Sequence, residues 1–245
     1  MESKHQSGNV LFLILIAVAL FAALAYAVTS STRNSGESVS KDKAKANAAA
    51  IVQYATSLRN AVTRIKISNG CSDTTLDFSN NIYRGNNDIA ANGANSNAPA
   101  LKICHVFDPA GGAMSPVVPA ADALDLTNAS ISVPTALKFG HIIFSVLQVK
   151  GIGTDDIAGT TSANDLAIVQ NYLNRNTCIA INDLLGIPNP GGAPPTFSGT
   201  GSSGTYSNGS FAGTGILDNA SINGQPAFCR LTGTAYQYVH VMIER

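Results

Sequence analysis

The chain has no tryptophan, and only 12% of its residues are charged, 15 basic side chains against 15 acidic ones. A protein with so little charge and no net sign carries no broad field to draw nucleic acid or a strongly charged substrate, so no nucleic-acid partner is expected. Catalytic motifs are missing as well. The four histidines, His5, His105, His141 and His240, stand alone, without the H-E-x-x-H spacing that would put two ligands on one helix face. There is no G-x-S-x-G elbow, and Gly151-Ile152-Gly153-Thr154 lacks the spacing and lysine of a phosphate loop, so it reads as a turn. Asp155, Asp156 and Asp165 offer too few alternating oxygens for a calcium loop. The expectation is a protein that is not an enzyme and has neither cofactor nor metal.

Cysteine is scarce too. Cys71, Cys104, Cys178 and Cys229 are spread along the chain without a C-x-x-C pair, which argues against a zinc ribbon or a redox dithiol. Disulfides are the natural use of such residues in a translocated chain. Of the three connectivities, Cys71 with Cys104 and Cys178 with Cys229 is favoured because each bridge then joins successive elements.

What the sequence does have is one long apolar run, Val10 to Val28, with no charged residue in it. At about 1.5 Å per residue it spans roughly 28 Å, close to the hydrocarbon thickness of a bilayer. Three readings are open. A buried core helix would normally keep polar residues on some face. A secretory signal fits Lys4 in the first residues and Ala25-Tyr26-Ala27 as a small-x-small site before Val28, but the apolar run exceeds a usual h-region and Glu2 offsets Lys4. The third reading is a retained anchor.

A short polar leader ending in glycine, MESKHQSG, leads directly into this unbroken apolar helix and then an amphipathic one. That order resembles a type IV prepilin or minor pseudopilin. The resemblance covers about the first 70 residues and implies cleavage by a prepilin peptidase between Gly8 and Asn9. It further implies that the apolar helix, marked by Val10, Leu13, Leu20 and Val28, rests in the bilayer and then packs with other pilin-like subunits. Two positions depart from the pattern. Asn9 replaces the usual apolar or alanine first residue, and Leu13 stands where a glutamate is common, a gap known in minor pseudopilins. Charge disagrees with an outward body, since Arg33, Lys41, Lys43 and Lys45 outnumber Lys4 and the amino terminus across the helix. Cysteine usage and anchor type point outward.

The domain plan is a leader over 1–8, a transmembrane helix over 9–28, a Ser/Thr/Asn-rich hinge over 29–40 and an extracytoplasmic α+β domain over 41–245. Within the last, Ile51, Ala55, Leu58, Val62 and Ile65 recur at intervals of four and three, drawing one apolar stripe along a helix that Asn69-Gly70 closes. Short apolar pieces follow, notably 131–149 and 235–243, which read as strands. Ser162-Ala163-Asn164-Asp165 has capping-box spacing and predicts a further helical segment near 163–185. Residues 188–215 are rich in Gly, Ser, Thr and Pro and read as a loop. The expected fold is therefore α+β. A long N-terminal helix, membrane-spanning in its first half and amphipathic in its second, packs on an antiparallel β-sheet. The expected location is the inner membrane, single-pass, with the C-terminal domain periplasmic or extracellular. The expected function is a pilin-like or pseudopilin-like subunit; the alternative is a membrane-anchored or secreted envelope binding protein with no filament role.

Overall fold

The computed structural model describes residues 8–83, 93–127, 140–153, 164–196, 204–213 and 215–245. Within its first helix the side chains at 8–11, 13 and 27–39 lie outside the described set. The chain divides into two compact units, Met1–Lys43 and Ala44–Arg245. Helix α1 (Gly8–Asn69) contributes to both.

In the first unit the described structure is helix, as its Ala- and Leu-rich composition favours. Every described side chain from Phe12 to Tyr26 is exposed.

In the second unit α1 turns amphipathic. Ala44, Ala48, Ile51, Ala55, Leu58, Val62 and Ile65 are all buried, one face of a helix at 3.6 residues per turn. Gly70, at φ +66°, ends the helix in the left-handed conformation that glycine adopts without strain.

The body is a six-stranded sheet in the order β3-β1-β2-β6-β5, with β4 paired to β1. The strands are β1 (Ile142–Val149), β2 (Asp165–Leu173), β3 (Gly204–Thr205), β4 (Ile216–Leu217), β5 (Ala227–Thr232) and β6 (Ala235–Ile243). All pairings are antiparallel except that of β4 with β1. Period-two alternation divides the side chains between two cores. Phe144, Leu166, Ile168 and Tyr238 join the α1 stripe with Phe78 and Tyr83, while Leu147, Ala167, Val169, Val239 and Val241 pack with Ile187, Ile222 and Phe228.

The expected fold needs correction. Among the described residues no helix is long and apolar enough to cross a membrane. The continuous described apolar run, Ile14–Tyr26, amounts to about 20 Å of helix, short of the roughly 30 Å of hydrocarbon in a bilayer. Val10, Leu13 and Val28, expected as anchor positions, have side chains outside the described residues. Nor is a long N-terminal helix laid closely on the sheet. The helix whose backbone comes closest to the strands is α2 (Arg175–Leu185), against β5 and β6. The α1 stripe meets the body through side chains in the shared core.

The helix expected near 163–185 is a strand followed by a shorter helix. Residues 165–173 form β2, the central strand, buried on both faces, so its apolar residues run on without the alternation that would have marked a strand. The true cap lies further on. Asn174 accepts a hydrogen bond from the Thr177 N–H, and Gly186 at φ +72° closes α2.

Candidate functional site

Of the residues that sequence singled out for processing, Gly8 is the first residue of α1 and Asn9 is helical; their side chains lie outside the described residues. Leu20 is described and is 66% exposed. It belongs to a continuous apolar surface with Phe12, Ile14, Leu15, Val18, Phe21 and Leu24, each more than half exposed. Ile14, Leu15, Ile16 and Val18 follow one another at about 100° per residue, so the surface runs around the helix rather than along one stripe.

The four cysteines form two bridges, Cys71–Cys104 and Cys178–Cys229, with Cα separations of 5.7 and 5.4 Å, and no cysteine is free. The first ties the residue after α1's closing glycine to the 101–114 turns. The second pins α2 to β5, where Asn182 also accepts from the Cys229 N–H at 2.7 Å and donates to its carbonyl at 2.9 Å. Formed bridges of this kind belong to an oxidising compartment, periplasmic or extracellular.

The histidines separate into different roles. His105 Nδ1 lies 3.3 Å from Oδ1 of the buried Asp77, and Ser79 donates to that same oxygen from both its N–H and its hydroxyl. Serine, histidine and aspartate meet here, but in the wrong order for nucleophilic catalysis. In a triad the histidine stands between hydroxyl and carboxylate, whereas here the Ser79 hydroxyl is spent on Asp77 directly. Oδ2 of Asp77 accepts from the Asn95 N–H at 2.7 Å, and Asn95 Nδ2 donates to the Thr74 and Leu76 carbonyls, each at 2.8 Å. The arrangement clasps three loop segments where regular structure is sparse.

His240 is buried on β6, its Nδ1 2.8 Å from the Tyr238 hydroxyl. Burial, with a smaller effect from the Arg59 charge, lowers its pKa to about 4, so the ring is neutral near pH 7. Burial also raises the Tyr238, Tyr206 and Tyr83 phenols above their ordinary value, so none supplies a phenolate.

Among the described residues no three His, Cys, Asp or Glu side chains gather to hold a metal ion. Asp155 and Asp156 lie outside the described residues; Asp165 accepts from the Arg245 N–H at 3.1 Å and the Val149 N–H at 3.4 Å. Gly151 and Gly153 have φ of +80° and +72°, as a turn after β1 requires.

Sequence reasoning had missed the Asp77 clasp, whose members come from distant loops. Its one local sign was Asp77-x-Ser79, the spacing at which an aspartate caps the N–H two residues on. Comparison with protein-family models, curated proteins and solved structures returned no match.

Proposed function

We propose that this chain is a non-enzymatic, pilin-like or minor pseudopilin-like subunit of a bacterial envelope filament. A prepilin peptidase trims it after Gly8, its N-terminal helix holds it in the inner membrane as a single pass, and its disulfide-bonded body faces the periplasm or the exterior. Assembly is the mechanism: the apolar helix leaves lipid and packs against the helices of neighbouring subunits.

One observation carries this reading. Among the described residues, eight large apolar side chains from Phe12 to Leu24 stand exposed on a helix. Burying each is worth about 1.5–3 kcal/mol, so such a surface is held by lipid or by other helices rather than by water. Leu13, in place of the glutamate that would pair with a neighbouring amine, favours a minor or initiating position over that of the main building block.

The test is the intact mass and N-terminal sequence of the protein isolated from its native membranes. A chain beginning at Asn9 supports the reading. One beginning at Val28 is a secreted domain and ends it. An intact Met1 turns attention to the alternative, a single-pass envelope protein that binds a partner without forming filaments.

A further inference from the structure

Strand β6 outruns its neighbour β5, which begins at Ala227 opposite His240, while β6 continues to Ile243. Between these last residues of β6 and the C-terminal end of α1 lies an open groove of about 360 Å³, wholly within the 44–245 body. Its floor is apolar and closed, since Val62, Met242 and Ile243 are all buried. Its rim is made by Arg59, Thr63, Lys66 and Ile67 of α1 and by Glu244 just after the strand. At about 100° per residue, Arg59, Thr63 and Lys66 fall on one side of the helix.

The rim has an ionic end and an apolar end. Arg59 Nη2 donates to Glu244 Oε1 at 2.8 Å, the two side chains being 38% and 41% exposed. That is the one side-chain bond Arg59 makes among the described residues. A guanidinium carries five donors in a fixed fork, so most of them are open to a second acceptor. An ion pair this exposed contributes little to the fold and yields readily to a competing carboxylate. The Arg59 charge also bears on His240, buried on β6, which sets the guanidinium toward the strand. Lys66 adds a second cation on the same side of the helix, paired with Asp73. At the other end, about 12 Å along the helix from Arg59, Ile67 is 80% exposed. Among the described residues it is the one large apolar side chain that α1 leaves bare beyond residue 44.

A ligand that matches this order has a negatively charged acceptor at one end and an aliphatic chain at the other. A carboxylate suits the fork, as Glu244 itself shows, whereas a dianion would be opposed more strongly by the Glu244 charge. The volume stands at the small end of ligand sites, which suits a chain of medium length. We infer that the groove is a binding site for a medium-chain aliphatic carboxylate. The carboxylate accepts from the open donors of Arg59, and the chain runs past Thr63 to lie against Ile67. This goes beyond the filament reading and stands whether or not the chain is trimmed after Gly8.

The experiment is a titration of the full chain, held in detergent micelles, with octanoate, acetate and 1-octanol in turn, followed by the methyl NMR signals of Ile67, Met242 and Ile243. Octanoate is expected to give saturable shifts at these methyls. Acetate and 1-octanol are each expected to bind at least about tenfold more weakly, because each lacks one end of the ligand. Arg59→Gln is expected to weaken octanoate about tenfold or more, the worth of a charge-assisted hydrogen bond. Glu244→Gln is expected to tighten it, since the competing carboxylate is gone, a gain that a purely structural ion pair would not give. Ile67→Ser, a change at an exposed position, is expected to weaken octanoate about fivefold and leave acetate unchanged, read at Met242 and Ile243. It keeps the test decisive if Arg59→Gln does not fold. Acetate binding as tightly as octanoate would reduce the groove to a counter-ion site and overturn the inference. Octanol binding as tightly, octanoate binding unchanged in Arg59→Gln, or no saturable shifts at all would overturn it too.

Discussion

The hydroxyls of Tyr54, on α1, and Tyr83, in the loop after the Asp77 clasp, lie 2.9 Å apart and together hold the backbone of Val117. Tyr83 accepts from the Val117 N–H and donates to its carbonyl, both at 2.6 Å; Tyr54 takes the Ser115 carbonyl at 2.8 Å. Two phenols thus fasten an otherwise irregular stretch to the helix. Tyr83→Phe is expected to cost about 1–3 kcal/mol, read by urea unfolding, because the Val117 N–H and carbonyl both lose the hydroxyl they are bonded to.

The same pair gives an alkaline dependence. Burial raises both phenols, so the folded state holds these protons more tightly than the unfolded state does. Stability from this source is complete below the unfolded tyrosine value near 10 and falls as pH rises above it. Melting temperature between pH 9 and 11 should decline, and less steeply in Tyr83→Phe. An equal slope in both proteins would count against the pair.

At the acid end the group to watch is His240. Its folded pKa of about 4 is depressed from about 6.5 by burial, so its contribution is fully present above 6.5 and lost as pH falls toward 4. The amount at stake is up to about 3 kcal/mol. His240→Gln is expected to flatten the stability profile between pH 6.5 and 4, measured by denaturant midpoints across that window.

Each disulfide closes a loop, with sequence separations of 33 and 51. The chain-entropy model gives about 4 kcal/mol for each, a large share of a typical net stability. Reduction under native conditions should therefore lower the urea midpoint strongly. Cys178→Ala with Cys229→Ala is expected to free α2 from β5 first, seen as earlier hydrogen exchange in 175–185.

Gly209 lies in the turn that docks onto the loop after α1. Its φ is +68°, and an added Cβ would sit 2.1 Å from the Thr74 carbonyl oxygen. Since the obstacle is backbone, relief requires the turn to lift, carrying Asn208 away from Ser96 and Asn97, with which it is hydrogen-bonded. Gly209→Ala is expected to cost more than about 2 kcal/mol in urea unfolding.

Several features could be seen before any coordinates. The stripe from Ile51 to Ile65 is buried as its four-and-three spacing required, and the end of α1 at Asn69-Gly70 and the strand at 235–243 were equally plain. They are local patterns in which residue order alone gives the periodicity. The error at 165–173 shows the limit. Asp-Leu-Ala-Ile-Val-Gln-Asn-Tyr-Leu is apolar toward both neighbours because β2 is covered on both faces, and periodicity cannot then tell strand from helix.

By itself the sequence determined an apolar N-terminal run, an amphipathic helix behind it, and an absence of catalytic or metal-binding motifs. Tertiary structure alone decided that β2 would be central and that Asp77 would gather Ser79, His105 and Asn95. The difference is physical. Helix propensity and hydrophobic spacing act over a few residues, whereas the partner of a buried polar atom is chosen by which distant strands and loops the folded chain brings alongside it.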